Sequence, residues 1–125
     1  MDINKHISYW CIGSEEDWEM AEIAMEKGKI RHSLFFTHSA MEKLIKAHVM
    51  RVTGDLPPKI HNLLILMKRA NLPIEQNINE WLTELNSYCL EGRYTDQAIP
   101  PPSLQKAVKI MQQAQELRTW LLNQL

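Results

Sequence analysis

Apolar positions along the chain repeat with a helical period almost throughout. Ile3, Ile7, Trp10, Trp18, Ala21 and Met25 define a first helix that Gly28 closes, with Gly13 a weak point in its middle. A second helix is expected from Ile30 to Thr53, ended by Gly54 and by the paired prolines of "GDLPPK", which cannot continue it. His61 and Asn62 form a cap pair for a short third helix over "LLILMKRANL", stopped at Pro73. Ile78, Trp81, Leu82, Leu85, Tyr88 and Cys89 mark a fourth helix. "EGRYTDQAIPPP" breaks it before a fifth, running from Leu104 through Val108, Met111, Gln115 and Leu117 to Leu122. No stretch alternates as a strand would, and no repeat has a solenoid period. Short connections between successive helices imply an all-α, up-and-down bundle of four to five helices, with residues 1–125 as a single domain.

The second helix is the informative one. At about 100° per residue, Leu34, Met41, Ile45, Val49 and Val52 fall on one line, with Phe36, Ala40, Leu44 and Ala47 on another beside it. An apolar arc wider than half the circumference needs neighbours on two sides, so this is the expected central helix. Glu42, Lys43 and Lys46 fill the remaining polar strip, with Glu42 and Lys46 in the favourable i,i+4 order. His38 and His48 project into the apolar arc, as buried polar groups that require partners. Trp10, Trp18, Trp81 and Trp120 sit in helical stripes, which points to core or dimer interface.

Composition narrows the function classes. Fourteen Lys plus Arg against 15 Asp plus Glu give a formal net charge of -1, so no overall field draws the chain to nucleic acid or an anionic membrane, and nothing signals DNA specificity. An RNA contact would be a local patch. Cys11 and Cys89 lie far apart with no CxxC or Cys/His ligand spacing, so neither a disulfide scaffold nor a metal site is expected, and a reducing cytoplasm fits. The N-terminus has no apolar signal region, and no run is long enough to span a membrane.

Candidate chemistry is sparse. Arg31 and His38, with six residues between them, place a cation and an imidazole on one side of the second helix, the pairing that metal-free RNA cleavage uses for phosphorane charge and proton transfer. Arg93 offers five donors suited to phosphate and Tyr94 a ring and a hydroxyl, with Asp96 close behind. Together with Lys43 or Lys46 they could hold a nucleotide or an RNA phosphate. His61, with Lys59 nearby, makes the start of the third helix a candidate anion site.

Four segments then resemble a known family. Asp17 to Ala21 fits D-(L/W)-x-x-A, Ala40 to Ala47 fits A-x-E-K-x-x-K-A, Pro57 to Leu63 fits P-P-(K/T)-x-H-(D/N)-L, and Arg93 to Asp96 fits R-Y-(P/T)-D. In this order and at these separations they resemble the small HEPN domains of bacteria and archaea. The resemblance implies a four- to five-helix bundle that forms a two-fold dimer, a functional cleft at the helix interface and no cofactor. Family members that cleave RNA carry an Arg, a polar residue and, after four to six intervening residues, a His near the start of a later helix. In toxin–antitoxin pairs a nearby Tyr is adenylylated by a minimal nucleotidyltransferase partner. Here no His follows Arg93, the last one being His61. The resemblance therefore implies a cytoplasmic dimeric nucleotide- or RNA-binding module paired with such a nucleotidyltransferase. The alternative is a metal-independent endoribonuclease acting through Arg31 and His38.

Overall fold

The computed structural model describes residues 1–89 and 100–125. Five α-helices lie within them: α1 (Ile3–Glu26), α2 (Ile30–Thr53), α3 (Leu63–Arg69), α4 (Gln76–Asn86) and α5 (Leu104–Asn123). Among the described residues there is no strand. The bundle expected from the periodicity is present, and α2 packs on all four other helices, as its wide apolar arc requires. No described helix is long and apolar enough to cross a membrane.

Local chemistry explains the boundaries. The Asp2 side chain caps α1 by accepting from the Lys5 N–H. At its far end Gly28 takes φ +72°, while the N–H groups of Gly28 and Lys29 return to the carbonyls of Met25 and Ala24, the paired bonds of a Schellman close. The same arrangement ends α3 without a glycine. Asn71 adopts φ +55°, one of the few non-glycine residues able to do so, and Leu72 and Asn71 bond back to Met67 and Lys68. Pro73 thus follows a helix that has already stopped. Asn62 caps α3 through Leu64 and Ile65, and Ser103 caps α5 through Lys106.

α1 and α2 approach through small side chains. Ala21, Ala40 and Ala47 have no exposed surface, and two buried serines bridge the helices, Ser14 donating to the Ala40 carbonyl at 2.6 Å and Ser33 to that of Ala21 at 2.7 Å. Gly13 does not interrupt α1. A Cβ there would lie 3.2 Å from Cδ of Lys43, so the missing side chain makes room for the lysine stem. Leu34, Met41, Leu44, Ile45, Leu66, Met67, Leu82, Leu85 and Leu121 form the fully buried centre, each contributing about 1.5–3 kcal/mol of burial.

Three expectations need correction. Val52 is 48 % exposed, because the last turn of α2 runs past its neighbours. Lys46 falls on the polar strip of α2 by projection but is buried at 5 % exposure, its charge met by Glu42 and its ammonium set 5.5 Å from the Trp10 ring centroid. Helix α4 starts two residues before Ile78 and ends at Asn86, so Tyr88 and Cys89 are buried just beyond it. Of the four tryptophans, Trp18 and Trp81 are core, Trp10 is partly buried, and Trp120 is 41 % exposed.

Candidate functional site

A polar cluster centred on Glu42 interrupts the apolar interior where α2, the Pro57–Leu63 linker and the end of α4 meet. Oε2 of Glu42 accepts from Lys46 Nζ at 3.0 Å, one turn on. Oε1 accepts from Nδ1 of His61 at 2.9 Å. His38 Nδ1 stands 3.9 Å from the same oxygen, too far for a hydrogen bond. On its other side, His38 Nε2 is 3.3 Å from Oδ1 of Asn86.

Backbone donors fix the orientation of Asn86. Its Oδ1 accepts from the Leu63 N–H at 3.0 Å, and its Nδ2 donates at 3.1 Å to Oδ1 of Asn62, the oxygen that also caps Leu64. With the amide oxygen thus turned toward His38, that ring must donate from Nε2. Burial is the main influence on His38 and pushes its pKa below the usual 6.5. The Glu42 charge, the Asn86 bond and the His61 backbone act in the opposite direction. The cluster runs from His38, 1 % exposed, to a His61 side chain that is 38 % exposed, so it has one buried end and one end at the surface.

The second buried histidine is arranged differently. His48 donates from Nε2 to the Leu121 carbonyl at 2.8 Å and so ties α2 to α5. Burial again lowers its pKa, opposed by that bond.

The other candidate residues are distributed rather than gathered. Arg31 is partly buried and lies two turns, about 10 Å along the axis, before His38. Lys43 pairs with Asp17 at 2.8 Å, and Asp17 also accepts from Ser39 at 2.6 Å, so the two α2 lysines are committed to different carboxylates. Lys59 is exposed. At the start of α3 the Asn62 side chain already accepts from the N–H groups that an anion would use. Arg93, Tyr94 and Asp96 lie outside the described residues.

Sequence reasoning missed Asn86, which joins three elements. No local signal marks it, because the periodicity carries the fourth helix past Asn86 to Cys89. Sequence reasoning also missed the burial of Lys46 and the link between His61 and Glu42, which are 19 positions apart.

An all-helical bundle whose central helix holds a carboxylate between a buried lysine and a linker histidine defines a class of small α-helical domain, with an A-x-E-K-x-x-K-A helix and a P-P-K-x-H-N linker supplying the cluster. The family model for the HEPN domain matches residues 7–125, and the chain belongs to that family. Membership supports a nucleotide- or RNA-related module in general. No curated protein and no solved structure matches the chain.

Proposed function

We propose that the protein is a dimeric HEPN module that binds a nucleotide or an RNA phosphate without cleaving it and works beside a minimal nucleotidyltransferase partner. The observation that carries this reading is the Glu42 cluster. It holds the His61 ring at the surface by a hydrogen bond to the carboxylate, backed by buried Lys46 and beside exposed Lys59. Arg93 and Tyr94, which follow Asn86 by seven and eight positions, are assigned the phosphate and base contacts, with Asp96 a further member of the binding set. Binding without cleavage is supported by the burial of His38. A general acid or base must come within a hydrogen bond or one water of its substrate, and His38 is 1 % exposed with its Nε2 turned to Asn86.

The dimer reading is supported by α1. Tyr9, Ile12, Met20 and Ile23 are 77, 58, 44 and 48 % exposed and fall within one narrow arc of the helix. A two-fold antiparallel pairing of this helix would set Tyr9 against Ile23 and Ile12 against Met20, as the isologous rule requires, and would bring exposed Glu16, at the centre of the arc, against its own copy.

Calorimetric titration of ATP, AMP and a short RNA against the wild type, His61→Ala and Arg93→Ala tests the binding role. Saturable binding weakened about tenfold in each variant is expected, consistent with the loss of a charge-assisted contact. Absence of binding to all three ligands would overturn it. RNA cleavage that persists in EDTA and disappears in His38→Ala would instead establish the endoribonuclease. Native mass spectrometry of the protein from its source cells reports the dimer and the nucleotidyltransferase together.

A further inference from the structure

Away from the Glu42 cluster, the start of α4 and the second half of α5 enclose a trough of 370 Å³. Each wall supplies an indole and a carboxylate: Trp81 and Glu75 from the α4 side, Trp120 and Glu116 from α5, with Ile78 and Leu117 between them. Glu75 occupies the N-cap position of α4 but makes no side-chain cap bond, and both carboxylates are exposed.

The chain uses this combination twice elsewhere, with the cation present. Arg118 stacks with its guanidinium carbon 5.2 Å from the Trp18 ring centroid while pairing with Glu15. Lys46 lies 5.5 Å from the Trp10 centroid while pairing with Glu42. In both, an indole face and a carboxylate hold one cation between them, the ring quadrupole and the negative charge acting in the same direction. The trough offers the exposed Trp120 indole, the small exposed part of core Trp81 and two carboxylates, and among the described residues that line it there is no Lys or Arg.

We propose that the α4–α5 trough is a docking site for an arginine side chain of a partner polypeptide. Arginine fits better than lysine because its planar guanidinium can lie on an indole and fork toward a carboxylate at the same time. A polypeptide fits better than a small molecule because the trough covers a ligand from one side only. Trp120 keeps 41 % of its surface exposed, whereas a small ligand in a formed pocket is usually buried over most of its own surface. The backbone and neighbouring residues of a partner would supply the missing cover.

The test is an NMR titration of the full chain with acetyl-Ala-Ala-Arg-Ala-Ala-amide, following the indole N–H signals of Trp81 and Trp120, assigned through Trp81→Phe and Trp120→Phe. The Gln peptide and free arginine amide serve as comparison ligands. Expected are saturable shifts of both signals with the Arg peptide, weaker binding to arginine amide, none to the Gln peptide, and about a tenfold rise in Kd in the Glu75→Gln/Glu116→Gln double variant. These two exposed positions can be changed without touching the core, and an unchanged thermal midpoint verifies that the variant is folded. The proposal is overturned by an absence of shifts with the Arg peptide, by equal binding of the Gln peptide, or by unchanged affinity in the double variant. Arginine amide binding as tightly as the peptide would overturn it too, since the trough would then be a small-molecule pocket.

Discussion

Helix α2 carries two buried histidines ten residues apart, about 15 Å along the axis, and they do opposite things. His48 ends in a backbone carbonyl, with one hydrogen bond to Leu121, and the charge of exposed Arg51 is the other polar influence on it. His38 ends in other side chains, Asn86 on one nitrogen and the Glu42 carboxylate near the other, and through Glu42 it connects to His61 at the surface. Both are nearly without exposed surface, and burial depresses both pKa values. Burial therefore does not separate a structural imidazole from one belonging to a candidate site. What separates them is whether the polar contacts continue to solvent. His48 pins two helices together, whereas His38 is the inner end of a line of groups whose outer end a ligand can touch.

The largest expected effect breaks the His38 side of this contrast at its hub. Glu42→Ala strands the buried Lys46 ammonium and releases His61 together, and removing one partner of a buried ion pair costs about 3–5 kcal/mol. The Glu42 side chain keeps 14 % exposure, which lets water reach the vacated space, so a loss of about 3 kcal/mol is expected in urea denaturation. His48→Ala removes one hydrogen bond and some packing and should cost about 2 kcal/mol. Ligand binding should fail in the first variant and survive in the second. Equal loss of binding in both would mean that the two histidines do not differ in the way their contacts indicate.

The contrast was half visible in the amino-acid order. Both histidines project into the apolar arc of α2, and Glu42 with Lys46 is legible as an i,i+4 pair, because helical periodicity alone determines those relations. The helix limits at Gly54 and Asn62 were equally legible, since they rest on local turn and cap chemistry. His61 meeting Glu42, and Asn86 meeting His38, depend on how the linker and α4 fold back over α2, and no local rule states that. The same limit explains Lys46. Periodicity places it on a polar strip of the isolated helix, and Trp10 of α1 packs over that position in the bundle. The trough between α4 and α5 was invisible for a further reason. Helical stripes point Trp81 and Trp120 to core or interface, and their meeting with Glu75 and Glu116 is a property of the packed pair.

An intermediate effect is the response to pH, where the two histidines should behave alike. Burial holds both below 6.5 in the folded chain, so the unfolded chain binds more protons as pH falls through that value. Their contribution to stability is full above pH 6.5 and is lost progressively as pH falls toward the lowered folded-state values, at up to about 1.4 kcal/mol per pH unit for each group. Urea denaturation across this range should show stability declining with acid. His48→Gln, which keeps a donor for the Leu121 carbonyl, should remove one histidine's share of the slope. An unchanged slope would mean that His48 is protonated as readily in the folded protein as in the unfolded chain.

The smallest effect sharpens the contrast most. In a double-mutant cycle, His38→Ala and His48→Ala should be additive to within about 0.3–0.5 kcal/mol, because the two side chains share no partner and lie well beyond the distance at which neighbouring substitutions couple. His38→Ala and His61→Ala are farther apart in sequence but both face Oε1 of Glu42, at 3.9 and 2.9 Å. Removing one changes the field and the freedom of the carboxylate that the other meets, so their cycle should return a coupling above about 0.5 kcal/mol. Denaturation of the five variants and the wild type measures both cycles on one scale. Coupling between His38 and His61, with none between His38 and His48, would establish the Glu42 cluster as a connected unit within α2. The reverse result would mean that the connection to the surface carries no energy, leaving His38 as isolated a pin as His48.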